Sequence, residues 1–240
     1  MSVRLCCCCC LLLSSAVPAK VLWQDFSVSL LQGEHYRVYF PKQQVLTFEH
    51  SAATSWGDSF LFYDHLRGED GSRNNYAEWA PRFSFSKLSG TQFSNGILTD
   101  VLLSTQVEMS RTQTNYLYGV GLDFAIAGFK YSKLNLLRRQ NEHSVDNWQA
   151  TLVWGLPFQL FGQQWLYDGF VDWASPAGSQ QTQLNWTSQL KWALHPLLDL
   201  SSPLYLGVEY VYWRHRFGLA DTPQRPTHES NLNLLVKWHF

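Results

Sequence analysis

From Asn147 to Phe158 the chain changes side at every residue. Trp148, Ala150, Leu152, Trp154, Leu156 and Phe158 take one set of positions, and Asn147, Gln149, Thr151, Val153 and Gly155 take the other. A period of two is the mark of a β-strand with two unlike faces. The same split recurs with Thr182, Leu184, Trp186, Leu190 and Trp192 against Gln183, Asn185, Thr187, Gln189 and Lys191. It recurs again with Tyr116, Tyr118, Val120, Leu122 and Phe124 against Asn115, Gly119, Gly121 and Asp123. At the end of the chain Leu232, Leu234, Val236, Trp238 and Phe240 face one way, and Asn231, Asn233, Lys237 and His239 the other, with Leu235 the apolar exception.

Composition decides which solvent each face meets. Aromatic residues make up 15% of the chain, with 11 Trp, yet mean hydropathy is only -0.20. A soluble core that rich in rings raises mean hydropathy; here the rings alternate with Asn, Gln, Ser, Asp and Gly. Lipid outside and water inside demand that pattern. A soluble sandwich or lipocalin-like barrel also alternates, but turns its apolar face inward and a charged face outward. No run of 18 apolar residues is present, so the chain cannot cross a membrane as a helix.

Counting back from Phe240, clear strands fall at 204–213, 182–192, 165–173 and 147–158, beside those ending at Phe124 and Phe240. Less regular ones fall near 30–40, 43–53, 57–66, 77–88, 98–109 and 129–139. The expected fold is therefore an all-β, antiparallel transmembrane barrel of twelve strands in a Gram-negative outer membrane, an even number as single-chain barrels require. Both termini then face the periplasm. The connections at 67–75, 140–145, 175–180 and 218–228 face outward, with Trp213-Arg214-His215-Arg216 at the extracellular rim, and Gly128 and Phe161-Gly162 mark periplasmic turns.

The first residues read as a secretory signal. Arg4 precedes an apolar run from Leu5 to Leu13, and Val17-Pro18-Ala19 offers small residues at a cleavage site. Residues 1–19 are the expected signal peptide and 20–240 a single barrel domain. A lipoprotein signal, suggested by Cys6 to Cys10, lacks small residues before its Cys. All 5 Cys lie in the signal, leaving the barrel without a disulfide framework. Removing Arg4 from the 18 basic residues leaves 17 against 19 acidic ones, a balance that excludes nucleic acid as a partner.

The one-sided final strand, with its terminal Phe240, resembles the last strand of bacterial outer-membrane barrels, where the aromatic is part of the signal read by the assembly machinery. Two further blocks narrow the resemblance. Thr47-Phe-Glu-His50 with Trp56-Gly-Asp-Ser-Phe-Leu-Phe-Tyr-Asp64, then Tyr76-Ala-Glu-Trp-Ala-Pro-Arg-Phe-Ser-Phe-Ser-Lys-Leu-Ser-Gly90, resemble the nucleoside-specific channel-forming family typified by Tsx and its relative OmpK. Gly207-Val-Glu-Tyr-Val-Tyr-Trp213 with Arg216-Phe-Gly218, and the ending Leu235 to Phe240, are similar to that family's late strands. The resemblance implies a narrow, monomeric barrel that passes nucleosides and deoxynucleosides by diffusion and that can serve phages or colicins as a receptor.

The residues themselves suggest how. Asp58, Phe60, Phe62 and Asp64 share one strand face; Asp168, Phe170 and Asp172 share another; Tyr205, Glu209 and Trp213 a third. Carboxylates avoid lipid, so each set points into the lumen. There the rings can stack on a base while the acids accept hydrogen bonds from ribose and repel a nucleotide's phosphate. The same residues can also simply fill space, and the acids can pair with Arg82, Lys191 or Lys237 to hold the wall. Arg82, inward beside Glu78, Ser84 and Ser86, is expected to pair with Glu49 or Glu209.

Other functions fit less well. A barrel hydrolase needs a Ser, a His and a polar orienter meeting on the lipid face, and His50 and His65, both outward, sit in no nucleophile motif. No enzyme activity, cofactor or metal site is expected. A structural or receptor barrel, or a pore without nucleoside preference, is the remaining alternative. What separates these is whether the lumen clusters are open to solute.

Overall fold

The computed structural model describes residues 19–38 and 40–240; apart from Ala19, the expected signal segment lies outside them. The chain forms twelve strands: β1 (Val21–Gly33), β2 (Gln43–Thr54), β3 (Gly57–Gly68), β4 (Arg73–Ser84), β5 (Leu98–Ser110), β6 (Thr114–Phe124), β7 (Tyr131–Gln140), β8 (Asn147–Leu160), β9 (Gln163–Ala174), β10 (Gln183–Ala193), β11 (Leu204–Arg214) and β12 (Glu229–His239). Each pairs with its sequence neighbours, and β1 pairs antiparallel with β12 to close the barrel. Closure leaves no edge whose amides lipid would strand.

Two expected strands move. The first begins at Val21 rather than near residue 30, because Glu34, His35 and Arg37 place charged or polar groups on both faces of 30–40 and deny it a lipid side. The fourth spans Arg73–Ser84 and stops short of residue 88. There the Ser84 hydroxyl accepts the Lys87 N–H at 3.0 Å and caps a short helix, α1 (Phe85–Ser89), which Gly90 ends with a φ of 71°. Lys87 then donates to the Thr54 and Gly57 carbonyls, each at 2.9 Å, pinning α1 to the β2–β3 turn. The β8–β9 turn is two residues long, with Phe161 and Gly162 both at positive φ, as a tight hairpin turn requires.

Alternation decides each face. Leu232, Leu234 and Trp238 are more than half exposed on the outer wall, while Asn231, Asn233 and Leu235 on the inner side are buried. Phe158, Trp165 and Trp192 stack along the outward rim at the end of the barrel that carries both termini, the expected periplasmic end, at ring separations of 6.5 and 6.2 Å. Among the described residues no helix is long and apolar enough to cross a membrane; the strands cross it.

Inside, charge pairs brace the wall. Arg82 donates to Asp58 and, at 2.8 Å, to Asp123, with the more distant Asn135 at 3.4 Å; Lys133 also holds Asp58 at 2.8 Å. The expected partners were Glu49 and Glu209. Register overrules both: Asp58 lies directly opposite Arg82 on β3, whereas Glu49 pairs with Lys237 of β12, and Glu209 accepts from Gln189 and Asn233.

The β1–β2 loop also enters the barrel. Tyr36, 6% exposed, donates from its hydroxyl to Asn233 at 2.9 Å and packs on Leu31, Val45, Leu66 and Leu235. The His35 and Arg37 amides donate to Asn231 and Glu229 at 2.9 and 2.8 Å. A Cβ on Gly33 would stand 1.8 Å from the Asn233 side-chain oxygen and push aside the acceptor of the Tyr36 hydroxyl, so the missing side chain favours this insertion.

Two consequences are measurable. Arg82→Ala leaves Asp123 without its cation and Asp58 with one of two, which should destabilise the barrel by about 3 kcal/mol; an unchanged unfolding midpoint contradicts the pairing. Tyr36→Ala removes the ring that narrows the mouth, and single-channel ion conductance should rise above wild type. A conductance equal to wild type would place the narrowest point elsewhere.

Candidate functional site: the lumen

The lumen is layered by charge. Toward the periplasm, Arg82, Lys133, Lys191 and Lys237 each engage an acid, Lys191 holding Asp168 at 2.7 Å and Lys237 holding Glu49. Toward the extracellular mouth, Arg139 holds Glu108 at 2.6 Å, and Arg216 turns inward from the rim to pair with Glu229. Between these layers Asp64, Glu78, Asp172 and Glu209 have no ion-pair partner among the described residues. They are held by neutral groups: Asp64 by the Thr47 hydroxyl at 2.6 Å, Asp172 by the Thr151 hydroxyl at 2.5 Å. Glu78 accepts from the Tyr76 hydroxyl at 2.5 Å and from Gln106 at 2.8 Å; Glu209 accepts from Gln189 at 2.8 Å and Asn233 at 2.9 Å.

These four acids form two pairs, Asp64 with Glu209 and Glu78 with Asp172. Asp64 lies within electrostatic reach of Glu209 and Glu49, and Glu78 within reach of Glu108 and Asp172. Rings sit among them. Phe62, opposite Glu49 on β2 and Glu78 on β4, stands 5.9 Å from the Tyr76 ring and 6.1 Å from Phe60. Phe170 occupies the same inward face of β9 as Asp172. The middle of the lumen therefore combines aromatic surface with acceptors that no cation neutralises at contact distance.

The ten residues expected to line a site all take the inward face of their strands, but they do not form one site. Phe62, Asp64, Phe170, Asp172 and Glu209 belong to the uncompensated belt. Phe60, 40% exposed, lies next to it. Asp58 and Asp168 are wall carboxylates, committed to Arg82, Lys133 and Lys191. Tyr205 and Trp213 stand at opposite ends of β11. Tyr205 is set edge-on between His195 and His239 at the periplasmic end, and Trp213 lies near the Arg216 guanidinium, 5.6 Å from its ring centre, at the mouth.

Three lumen aromatics were not anticipated. Tyr76 and Tyr131 follow the inward parity of β4 and β7, so alternation carried the signal; Tyr131 needs Gly155 opposite, where a Cβ would come within 2.5 Å of its ring. Tyr36 comes from a loop, and nothing in its local sequence indicates insertion. At the extracellular loop 215–228, the Thr227 and His228 amides hold the Asp221 carboxyl below the usual carboxylate range. His50 and His65 face outward, His50 stacked on Phe26 at 4.3 Å and His65 bonded to Asn75 at 2.7 Å. No group of three His, Cys, Asp or Glu suited to a metal ion occurs among the described residues.

The barrel's architecture is shared with known porins. A solved KdgM porin superposes with a TM-score of 0.51 at 8% identity, over 89% of this chain and 99% of that one. KdgM porin in complex with disordered oligogalacturonate gives 0.50 at 8% identity, over 90% and 99%. The outer membrane protein Omp33 of Acinetobacter baumannii gives 0.43 at 8% identity, over 90% and 98%. No curated protein matches the sequence. Residues 22–237, nearly the whole barrel, match the family described as nucleoside-specific channel-forming protein, Tsx, and the chain belongs to that family of outer-membrane channels.

Proposed function

We propose that this barrel passes nucleosides and deoxynucleosides across the outer membrane by facilitated diffusion, with residues 1–19 removed as a secretory signal and 20–240 forming the channel. One observation carries the reading: Phe62, Tyr76 and Phe170 share the lumen with Asp64, Glu78, Asp172 and Glu209, and among the described residues no cation at contact distance neutralises those acids. Stacking on an aromatic ring accepts any base. Carboxylates accept hydrogen bonds from ribose hydroxyls, which a bare hydrocarbon constriction cannot do. The same carboxylates repel phosphate, so the uncharged nucleoside fits and the nucleotide does not. In this account Asp58, Asp168, Glu49 and Arg82 shape the wall, while Tyr205 and Trp213 offer rings at the two entrances. We propose further that Phe240 is read by the assembly machinery, that the barrel acts as a monomer, and that the outer loops are where a phage or colicin would bind.

The test is flux into liposomes carrying the purified protein, with adenosine or thymidine set against a sugar of similar size. Phe62→Ala and Phe170→Ala each remove one stacking contact, about 1–3 kcal/mol, and should weaken saturable nucleoside binding by roughly tenfold. Ion conductance should not fall, since each change widens the bore. Equal wild-type flux of nucleoside and sugar would mean a general pore; unchanged selectivity in both variants would mean that other residues recognise the base.

A further inference from the structure

The mouth of the barrel is asymmetric. Tyr36 and Arg216 fill the side over β1, β2, β11 and β12, where the guanidinium lies 5.8 Å from the Tyr36 ring centre. Beside them, over β5 to β10, lies a cavity of about 70 Å³, lined among others by Gln113, Asn115, Arg139, Gln180, Gln183 and Phe217. That volume holds about five waters, or one edge of a heterocycle, but not a whole nucleoside.

Its donors and acceptors are of two kinds. The Asn115 carboxamide is committed, donating to Glu108 at 3.0 Å and accepting the Glu142 N–H at 3.2 Å. The carboxamides of Gln113, Gln180 and Gln183 have no hydrogen-bond partner among the described residues. Arg139 has given one terminal nitrogen to Glu108, while its buried Nε–H has no partner. The charge of this guanidinium is already matched by Glu108, so what it adds to the cavity is a planar wall. Placement is enforced locally. A Cβ on Gly218, whose φ is +70°, would stand 2.8 Å from the Gln180 Cβ, so glycine lets that side chain close in. Gln183 takes the inward face at the start of β10, opposite Ala174. His215 and Phe217 both adopt positive φ, the turn that sends Arg216 inward and leaves the Phe217 ring 41% exposed at the cavity.

We infer that this cavity is an outer subsite that takes the hydrogen-bonding edge of an uncharged nucleobase before the solute descends to the mid-barrel rings, an inference that rests on the nucleoside reading above. A carboxamide sets an acceptor beside a donor, and the lactam edge of uracil, thymine, hypoxanthine or guanine offers the complementary pair. Sugar hydroxyls also satisfy amides, but a flat ring and a guanidinium plane as neighbours favour a planar partner. The site is neutral overall and gives phosphate no foothold.

The experiment is block of single-channel current by uridine added from the extracellular side, compared with block by methyl riboside. In the double variant Gln180→Ala, Gln183→Ala the half-blocking uridine concentration should rise by about two- to tenfold for each hydrogen bond lost, while riboside block stays as in wild type. Wild-type protein tested with N3-methyluridine, whose lactam N–H is gone, should show a similar weakening without any mutation. Unchanged uridine block in the double variant, or equal block by the methylated base, overturns the subsite. Equal weakening of uridine and riboside would mean that the amides read hydroxyls, which overturns it too. No saturable uridine block in wild type would instead sink the nucleoside reading itself.

Discussion

Pairing of β1 with β12 is the constraint on which everything else depends. Seven residue pairs, from Ser27 with His239 to Gly33 with Asn233, close the sheet and assign every alternate side chain to lipid or lumen. A slip of one residue would send Asn231, Asn233 and Lys237 into hydrocarbon and Leu232, Leu234 and Trp238 into water. With the register fixed, charged side chains from distant parts of the sequence must share a narrow interior, and most of the lumen's structure is the settlement of those charges. Arg82, Lys133, Lys191 and Lys237 settle theirs against acids on neighbouring strands near the periplasmic end, Arg139 and Arg216 near the outer end.

The proposed function follows from where that settlement stops. At mid-height four carboxyl groups are held, among the described residues, by hydroxyls and amides and by no contacting cation, so acceptor positions remain there for a solute. In the proposed function, the rings placed between them supply the face for a base. Cations within contact distance would have turned the same positions into more wall. The inserted Tyr36 and Arg216 add side chains to one side of the mouth.

Much of this was legible in the residues. Period-two alternation fixed the faces of β6, β8, β10 and β12, and the cost of a carboxylate in lipid sent Asp58, Asp64, Asp168 and Asp172 inward. Alternation gives parity but not inter-strand register, which is why the Arg82 partner was misjudged: both candidates were inward, and only the pairing of β3 with β4 sets Asp58 opposite. The start of β1 was obscure because Gln24 lies on its outer face and blurs the apolar stripe. The entry of Tyr36 depends on Asn231 and Asn233, almost two hundred residues away, and on the missing side chain of Gly33. The Tyr205, Glu209 and Trp213 set shares one face yet spans most of β11, so a common face does not make a common site.

The most direct test of the central claim, that carboxylates without contacting cations govern the middle of the lumen, is the zero-current potential of the purified protein in a planar bilayer under a salt gradient of potassium chloride. The account predicts a potential of the sign that favours potassium, reduced when Asp64 and Glu209 are replaced together by Asn and Gln. A potential favouring chloride, or one that the double replacement leaves unchanged, would contradict it.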